Sequence, residues 1–205
     1  LALSKFAKEY VTVALGGEGS DELFAGYPTF QAEKLVPLYN MVPSFIQNSL
    51  LKSLPDLIPV RDTNFNNRFK VKKFLEGMEV DQNYRHQTWL GSFNKKEREK
   101  LFKKEVWAQL KDNNEYEEID HYLNEAGNIS WNNKLLYLYQ RTYLMDNCLT
   151  KLDRATMFNA LEVRAPFLDH TLAGFVNSLD YSYKNNGFTT KYILKELMKD
   201  KLPHK

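Results

Sequence analysis

Along most of the chain, apolar side chains recur every three or four positions, the period of an amphipathic helix. That spacing predicts helices over 29–36, 44–54, 68–77, 81–90, 95–110, 115–126, 132–149, 151–161, 170–178 and 189–200, with residues 1–10 closing another. The 132–149 stretch is the clearest: Leu135, Leu138, Tyr139, Thr142, Met145 and Leu149 form a single stripe. Val11–Leu15 breaks the pattern as a continuous β-branched and apolar run, which reads as a buried strand. It ends abruptly at Gly16, Gly17 and Gly19, followed by Asp21 and Glu22 and then by Leu23, Phe24, Ala25 and a Gly-Tyr-Pro exit. No second run of comparable β character occurs, so the expected piece is mainly helical around one parallel-type strand. Asn94 with Glu97 predicts a capping box opening a helix at Lys95. The sign-alternating run Lys95–Lys100 reads as a solvated helix face. The polar, basic stretch 60–73 reads as a surface loop running into a helix.

Composition narrows the classes. With 205 residues, 43% hydrophobic and 14% aromatic, the chain can bury a sizeable core. A net charge of +2 makes no general electrostatic case for nucleic acid or an anionic membrane. A single cysteine, Cys148, excludes an intrachain disulfide and fits a reducing, cytoplasmic compartment. No apolar run approaches the roughly 18 residues of a membrane span. No signal peptide and no initiator methionine are present, and both ends read as cut from something longer.

Two stretches carry candidate chemistry. A strand, a glycine turn and an acidic helix start is how an open α/β sheet presents ligand-binding groups at the carboxyl ends of its strands. Glu18, Asp21 and Glu22 lie within five positions, which favours a metal or a cationic or nucleophilic substrate over bare phosphate. The bland alternative is a structural turn with Ser20 or Asp21 capping the next helix. The second stretch, Tyr143–His170, sets Asp146, Lys151, Asp153, Arg154, Glu162, Arg164 and Asp169 among apolar residues. Charges there are costly to bury unless paired, and an internal salt-bridge network such as Glu162 with Arg164 accounts for them equally well. Pro166 ends the preceding helix and leaves Arg164 near a loop. Cys148 reads as a core residue, and the four histidines lack metal-ligand spacing.

Together these strings resemble the synthetase domain of the glutamine-hydrolysing asparagine synthetases. Here LGGEGSDELFAGYPTF stands where that family has a strand and SGEGSDELFGGY. MDNCLTKLDRATMFNALEVRAPFLD matches PDDLLTKVDRASM…LEVRVPFLD, and TKYILKELMKDKLPHK is similar to KYLLKEAL…LP. The close matches cover about a quarter of the chain; 37–130 matches only in helical, polar character.

The resemblance implies a mainly α fragment of an α/β adenine-nucleotide α-hydrolase-like (Rossmann-like) domain filling 1–205. It implies ATP and Mg²⁺ as cofactors, aspartate as the carboxylate that is adenylated, and ammonia from glutamine as the nucleophile. Glu18 is then the group acting at the attacking nitrogen and Asp21 the Mg²⁺ ligand. Gly16, Gly17, Gly19 and Ser20 approach the nucleotide, and Glu22, Asp146 and Arg164 help hold the amino acid. A homodimer is compatible with this reading; nucleic-acid and membrane partners are not expected.

The departures are Gly16 in place of a serine and Asn147 in place of a second aspartate. The upstream SGGxDS loop, the downstream R-x-K-x-G segment and the glutaminase domain are absent, so the piece alone is expected to be inactive. Polysaccharide-linked amidotransferases, β-lactam synthetases and lasso-peptide cyclases share the chemistry with other carboxylate substrates. Glu18 favours the asparagine type over β-lactam synthetase, where tyrosine is usual. A non-catalytic helical interaction module is the remaining alternative.

Overall fold

The computed structural model describes residues 1–47, 53–59, 66–110 and 112–202. In chain order the elements are α1 (Ala2–Lys8), β1 (Val13–Leu15), α2 (Ser20–Leu23), α3 (Pro28–Glu33), α4 (Val36–Asn40), α5 (Ser44–Ile46) and α6 (Leu54–Leu57). Then come α7 (Asn67–Met78), α8 (Gln82–Leu90), α9 (Lys95–Leu101), α10 (Lys104–Leu110), α11 (Glu117–Glu125) and α12 (Trp131–Tyr139). A π-helical segment, Gln140–Leu149, continues α12 into α13 (Thr150–Met157). β2 (Glu162–Arg164), a 3₁₀ turn (Pro166–Leu168), α14 (His170–Ser178), α15 (Tyr181–Lys184), β3 (Asn185–Asn186), β4 (Thr189–Thr190) and α16 (Tyr192–Met198) complete the chain. Among the described residues no helix is long and apolar enough to cross a membrane.

The chain divides into two compact units, Leu1–Phe30 with Tyr122–Lys205, and Gln31–His121. The first carries both candidate stretches. Its strand is not alone: β1 pairs in parallel with β2 in the register Val13↔Glu162, Ala14↔Val163, Leu15↔Arg164. The one-strand expectation is therefore corrected. β2 is only three residues long and carries a charge at each end, so it shows no apolar run. Its ladder continues past β1, where the Gly16 N–H donates to the Arg164 carbonyl at 2.8 Å. The expectation of a buried strand over Val11–Leu15 is also corrected: the strand is Val13–Leu15, and Val11, Val13 and Leu15 are exposed, Leu15 at 75%, because no covering layer lies over that face among the described residues.

The core of this unit gathers behind the glycine turn. Leu23 of α2 and Phe24 just after it pack with Val176 of α14, and Phe167, Leu168, Ala173, Ile193 and Leu194 close around them. Leu135, Leu136, Leu138 and Tyr139 of α12 are buried, and the Tyr139 ring lies 4.9 Å from that of Phe30. The helix predicted over 132–149 forms, but its second half winds with i→i+5 bonds from Gln140. Thr150 Oγ1 continues that reach by donating to the Met145 carbonyl. A π-segment of this length is uncommon; shorter π-bulges concentrate at functional sites.

The second unit is helical. Phe74 of α7 stacks on Trp89 of α8 with centroids 6.0 Å apart, and Gly77 leaves the space that the Trp89 indole fills. His86, fully buried, and Arg85 both face Glu33, with Nε2 and a guanidinium nitrogen 3.4 and 3.5 Å from its carboxylate. The expected capping box forms in both directions: Asn94 accepts from the Glu97 N–H, and Glu97 accepts from the Asn94 N–H. The helix predicted over 95–110 breaks at Phe102–Lys103 into α9 and α10. The loop expected over 60–73 lies outside the described residues up to position 65, as does part of the 44–54 helix; from 67 the chain is α7.

Candidate active site

Gly16–Gly19 carry the chain from β1 into α2. Gly19 is the N-cap residue at φ 87°, a conformation L side chains rarely adopt, and a Cβ there would sit 2.2 Å from Leu168 Cδ2. The turn is thus pinned on the 3₁₀ turn that follows β2. Neither Ser20 nor Asp21 caps α2 through its side chain, contrary to the structural alternative read from the sequence.

The three carboxylates of the turn point into three different surroundings. Glu18 folds back over Gly16: its Oε2 lies 2.2 Å from where a Gly16 Cβ would be, is buried, and accepts no hydrogen bond from the described residues. A serine at position 16 would displace it, so Gly16 is what permits this pose. Gly17 beside it is exposed, with open space around its Cα.

Asp21 is only half-buried, and its Oδ1 pairs with Lys191 Nζ at 3.0 Å. The same ammonium donates to the buried Ser20 hydroxyl at 2.9 Å. Glu22 is 2% exposed; it accepts from the Tyr27 hydroxyl at 2.5 Å and from the Cys148 thiol at 3.6 Å.

Electrostatics follow from that packing. Burial, and then the hydrogen bond to Glu22, push the Tyr27 phenol far above its ordinary value. Burial also raises the Cys148 thiol, with the Glu22 charge adding and the Tyr27 hydrogen bond opposing. A half-buried thiol held protonated beside a carboxylate is a poor nucleophile. The π-segment lies against the turn through Tyr143, whose ring centroid is 5.4 Å from that of Tyr27, and burial with the nearby Cys148, Glu22 and Asp21 raises the Tyr143 phenol while a hydrogen bond with Asn147 opposes the shift.

The other predicted residues lie in the same unit. Asp146 is exposed on the π-segment, with no hydrogen bond or ion pair among the described residues. Arg164 on β2 is exposed and pairs through Nε with Glu162 at 2.8 Å. The Glu162–Arg164 pair read from the sequence therefore forms, but on the surface. Asp169 caps α14, accepting from the Leu172 and Thr171 N–H groups, which lower its carboxyl.

Lys191 is a site residue that local sequence does not single out: it is one of three lysines in the helix predicted over 189–200, distinguished only by its place at the head of that helix. Gly26, in the sequence only part of an exit turn, belongs to the same group: a Cβ there would lie 1.9 Å from Asp21 Oδ1 and 2.3 Å from Lys191 Cε.

No group of three or more His, Cys, Asp or Glu among the described residues forms a metal cage. Magnesium, however, is commonly held by one or two carboxylates together with phosphate oxygens and water. Asp21 fits that requirement: its Oδ2 carries no hydrogen bond among the described residues.

The asparagine synthase family model matches residues 1–205. Asparagine synthetase [glutamine-hydrolyzing] 1 of Bacillus subtilis (strain 168) is 30% identical over 203 residues, which cover 98% of this chain and 30% of that protein. Asparagine synthetase [glutamine-hydrolyzing] 3 of the same organism is 25% identical over 196 residues, covering 96% of this chain and 25% of that protein. No solved structure matches the chain. It spans less than a third of the length of these curated relatives. With a turn of this geometry and a family match over its whole length, the chain belongs to the asparagine synthase family.

Proposed function

We propose that the chain is the carboxylate-bearing portion of a synthetase domain with an adenine-nucleotide α-hydrolase-like fold. In this reading it serves a longer, cytoplasmic protein that makes asparagine from aspartate, ATP and glutamine-derived ammonia. Exposed apolar positions on one face of β1, Val13 and Leu15, support a further layer over the sheet in the longer protein, because parallel sheets are normally covered on both faces.

The observation that carries the reading is Glu18. A buried carboxylate oxygen without a donor is costly and needs a reason. A site that must take a proton from an attacking nitrogen supplies one.

In the first step an oxygen of the aspartate side chain attacks the α-phosphorus of ATP, and the bond to the bridging oxygen breaks to release pyrophosphate. In the second, the ammonia nitrogen attacks the acyl carbon, the carbon–oxygen bond to AMP breaks, and a proton passes from nitrogen to Glu18. Gly17, exposed and with open space beside it, lets the backbone approach the nucleotide closely, while Gly16 under Glu18, Gly19 against Leu168 and Ser20 bound to Lys191 hold the turn in shape for it. Bound at Asp21, magnesium would neutralise phosphate charge and steady the leaving pyrophosphate. Asp146 and Arg164 are exposed and able to reach the amino acid, whereas sealed Glu22 contributes by fixing Tyr27 and Cys148 beneath the turn.

The test is pyrophosphate release by the full-length protein and by the 205-residue chain. The full-length protein should release it from ATP only with aspartate present, and the chain alone should not turn over ATP. Release that is indifferent to aspartate, or turnover by the chain alone, contradicts the proposal.

A further inference from the structure

Lys191 reaches the acidic turn from the far end of the sequence and is held there by three bonds. Its backbone N–H donates to the Phe24 carbonyl at 3.0 Å, and its ammonium bridges Ser20 Oγ at 2.9 Å and Asp21 Oδ1 at 3.0 Å. The β3–β4 hairpin delivers it, and the residue itself sits in the left-handed region at φ 51° as N-cap of α16. A non-glycine residue in that region is strained and persists where its surroundings over-determine it, often at functional sites. Gly26 completes the arrangement, because any side chain at that position would overlap both Asp21 and Lys191.

From this geometry we infer that Lys191 is a built-in occupant of the cation-facing carboxylate, a latch that must leave Asp21 before that carboxylate can take a divalent cation. One ammonium already neutralises the carboxylate and ties it to Ser20. A cation entering at Asp21 therefore competes with Lys191, and by linkage the affinity it gains without Lys191 equals the bracket's loss when it binds. Once released, Lys191 remains next to the turn as a positive charge available to an anionic ligand. This rests on the reading of Asp21 as the metal-facing carboxylate.

The experiment is a calorimetric titration of the 205-residue chain with MgCl₂ alone, at low ionic strength, with folding of each variant checked by circular dichroism. Lys191→Met should bind Mg²⁺ at least about fivefold more tightly than the parent, the lower end of ordinary coupling between sites. Gly26→Ala should shift affinity in the same direction, because it forces the pair apart while leaving both charges in place. Asp21→Asn should abolish binding, alone and combined with Lys191→Met. Equal affinity in the parent, Lys191→Met and Gly26→Ala, lost in Asp21→Asn, overturns the latch and leaves the metal reading of Asp21 standing. Binding that survives Asp21→Asn overturns the metal reading of Asp21 and the latch with it, whereas no binding by any variant overturns the latch, because the metal reading calls on phosphate oxygens to complete the magnesium set.

Discussion

Replacing Tyr27 by Phe removes one oxygen from beneath the turn and tests how Glu22 is held. Glu22 is almost fully buried, and its Oε1 accepts from Tyr27 at 2.5 Å and from Cys148 at 3.6 Å. Losing the phenol leaves the carboxylate with the thiol, a weak donor at long range. A hydrogen bond to a charged group contributes roughly 1.5–3 kcal/mol. Tyr27 is itself half-buried, so water can partly replace its hydroxyl, and about 2 kcal/mol is the expected loss. For a chain of this size that lowers the melting temperature of the Tyr27-bearing unit by roughly 4–8 °C.

Thermal unfolding followed by circular dichroism measures it, and a cycle with Glu22→Gln isolates the pair. The two losses should fall short of additivity by about 1 kcal/mol, as they do for groups in direct contact. Alkaline pH adds a second readout. The Tyr27 pKa is raised by folding, so its contribution is complete below the ordinary tyrosine value of about 10 and is lost as pH climbs above it. The parent should therefore lose stability above that pH faster than Tyr27→Phe does. Strict additivity in the cycle, with parallel alkaline profiles, would refute the account of Glu22.

Two further perturbations follow. Gly19→Ala should cost about 2–4 kcal/mol, combining strain at positive φ with overlap against Leu168; an unchanged denaturant midpoint contradicts the pinning of the turn. His86 is held neutral by burial, opposed by Glu33 and reinforced by Arg85. Its pKa is lowered by folding, so stability should fall as pH drops below about 6.5. His86→Gln should flatten the melting profile between about pH 6.5 and 5, and an unaltered slope would reject that assignment.

The parts of the site legible in the sequence were those set by neighbours along the chain. The apolar run into Gly16, the helices at 67–78, 82–90 and 170–178, and the Asn94–Glu97 box all follow from local periodicity and capping chemistry. What stayed hidden depends on partners far away in sequence. β2 is recognisable only as the strand beside β1, since Glu162 and Arg164 flank a single apolar Val163. The apolar spacing of 132–149 fits α and π windings alike, so the change at Gln140 left no trace. Ser20 and Asp21 looked like caps because their long-range partner, Lys191, lies 171 positions from Ser20. In sequence the three carboxylates form one acidic group, yet packing sorts them. Glu18 is left without a donor, Asp21 is paired with a cation, and Glu22 is sealed under aromatic rings.

The proposal that Glu18 acts at the attacking nitrogen is tested most directly by partition between the two half-reactions. In the full-length protein carrying Glu18→Gln, aspartate-dependent pyrophosphate release and asparagine formation are measured side by side. The account predicts that pyrophosphate release persists while asparagine formation falls by about 10²–10⁴-fold, the range for loss of a positioned general base. Asparagine formation at the parent rate would contradict it.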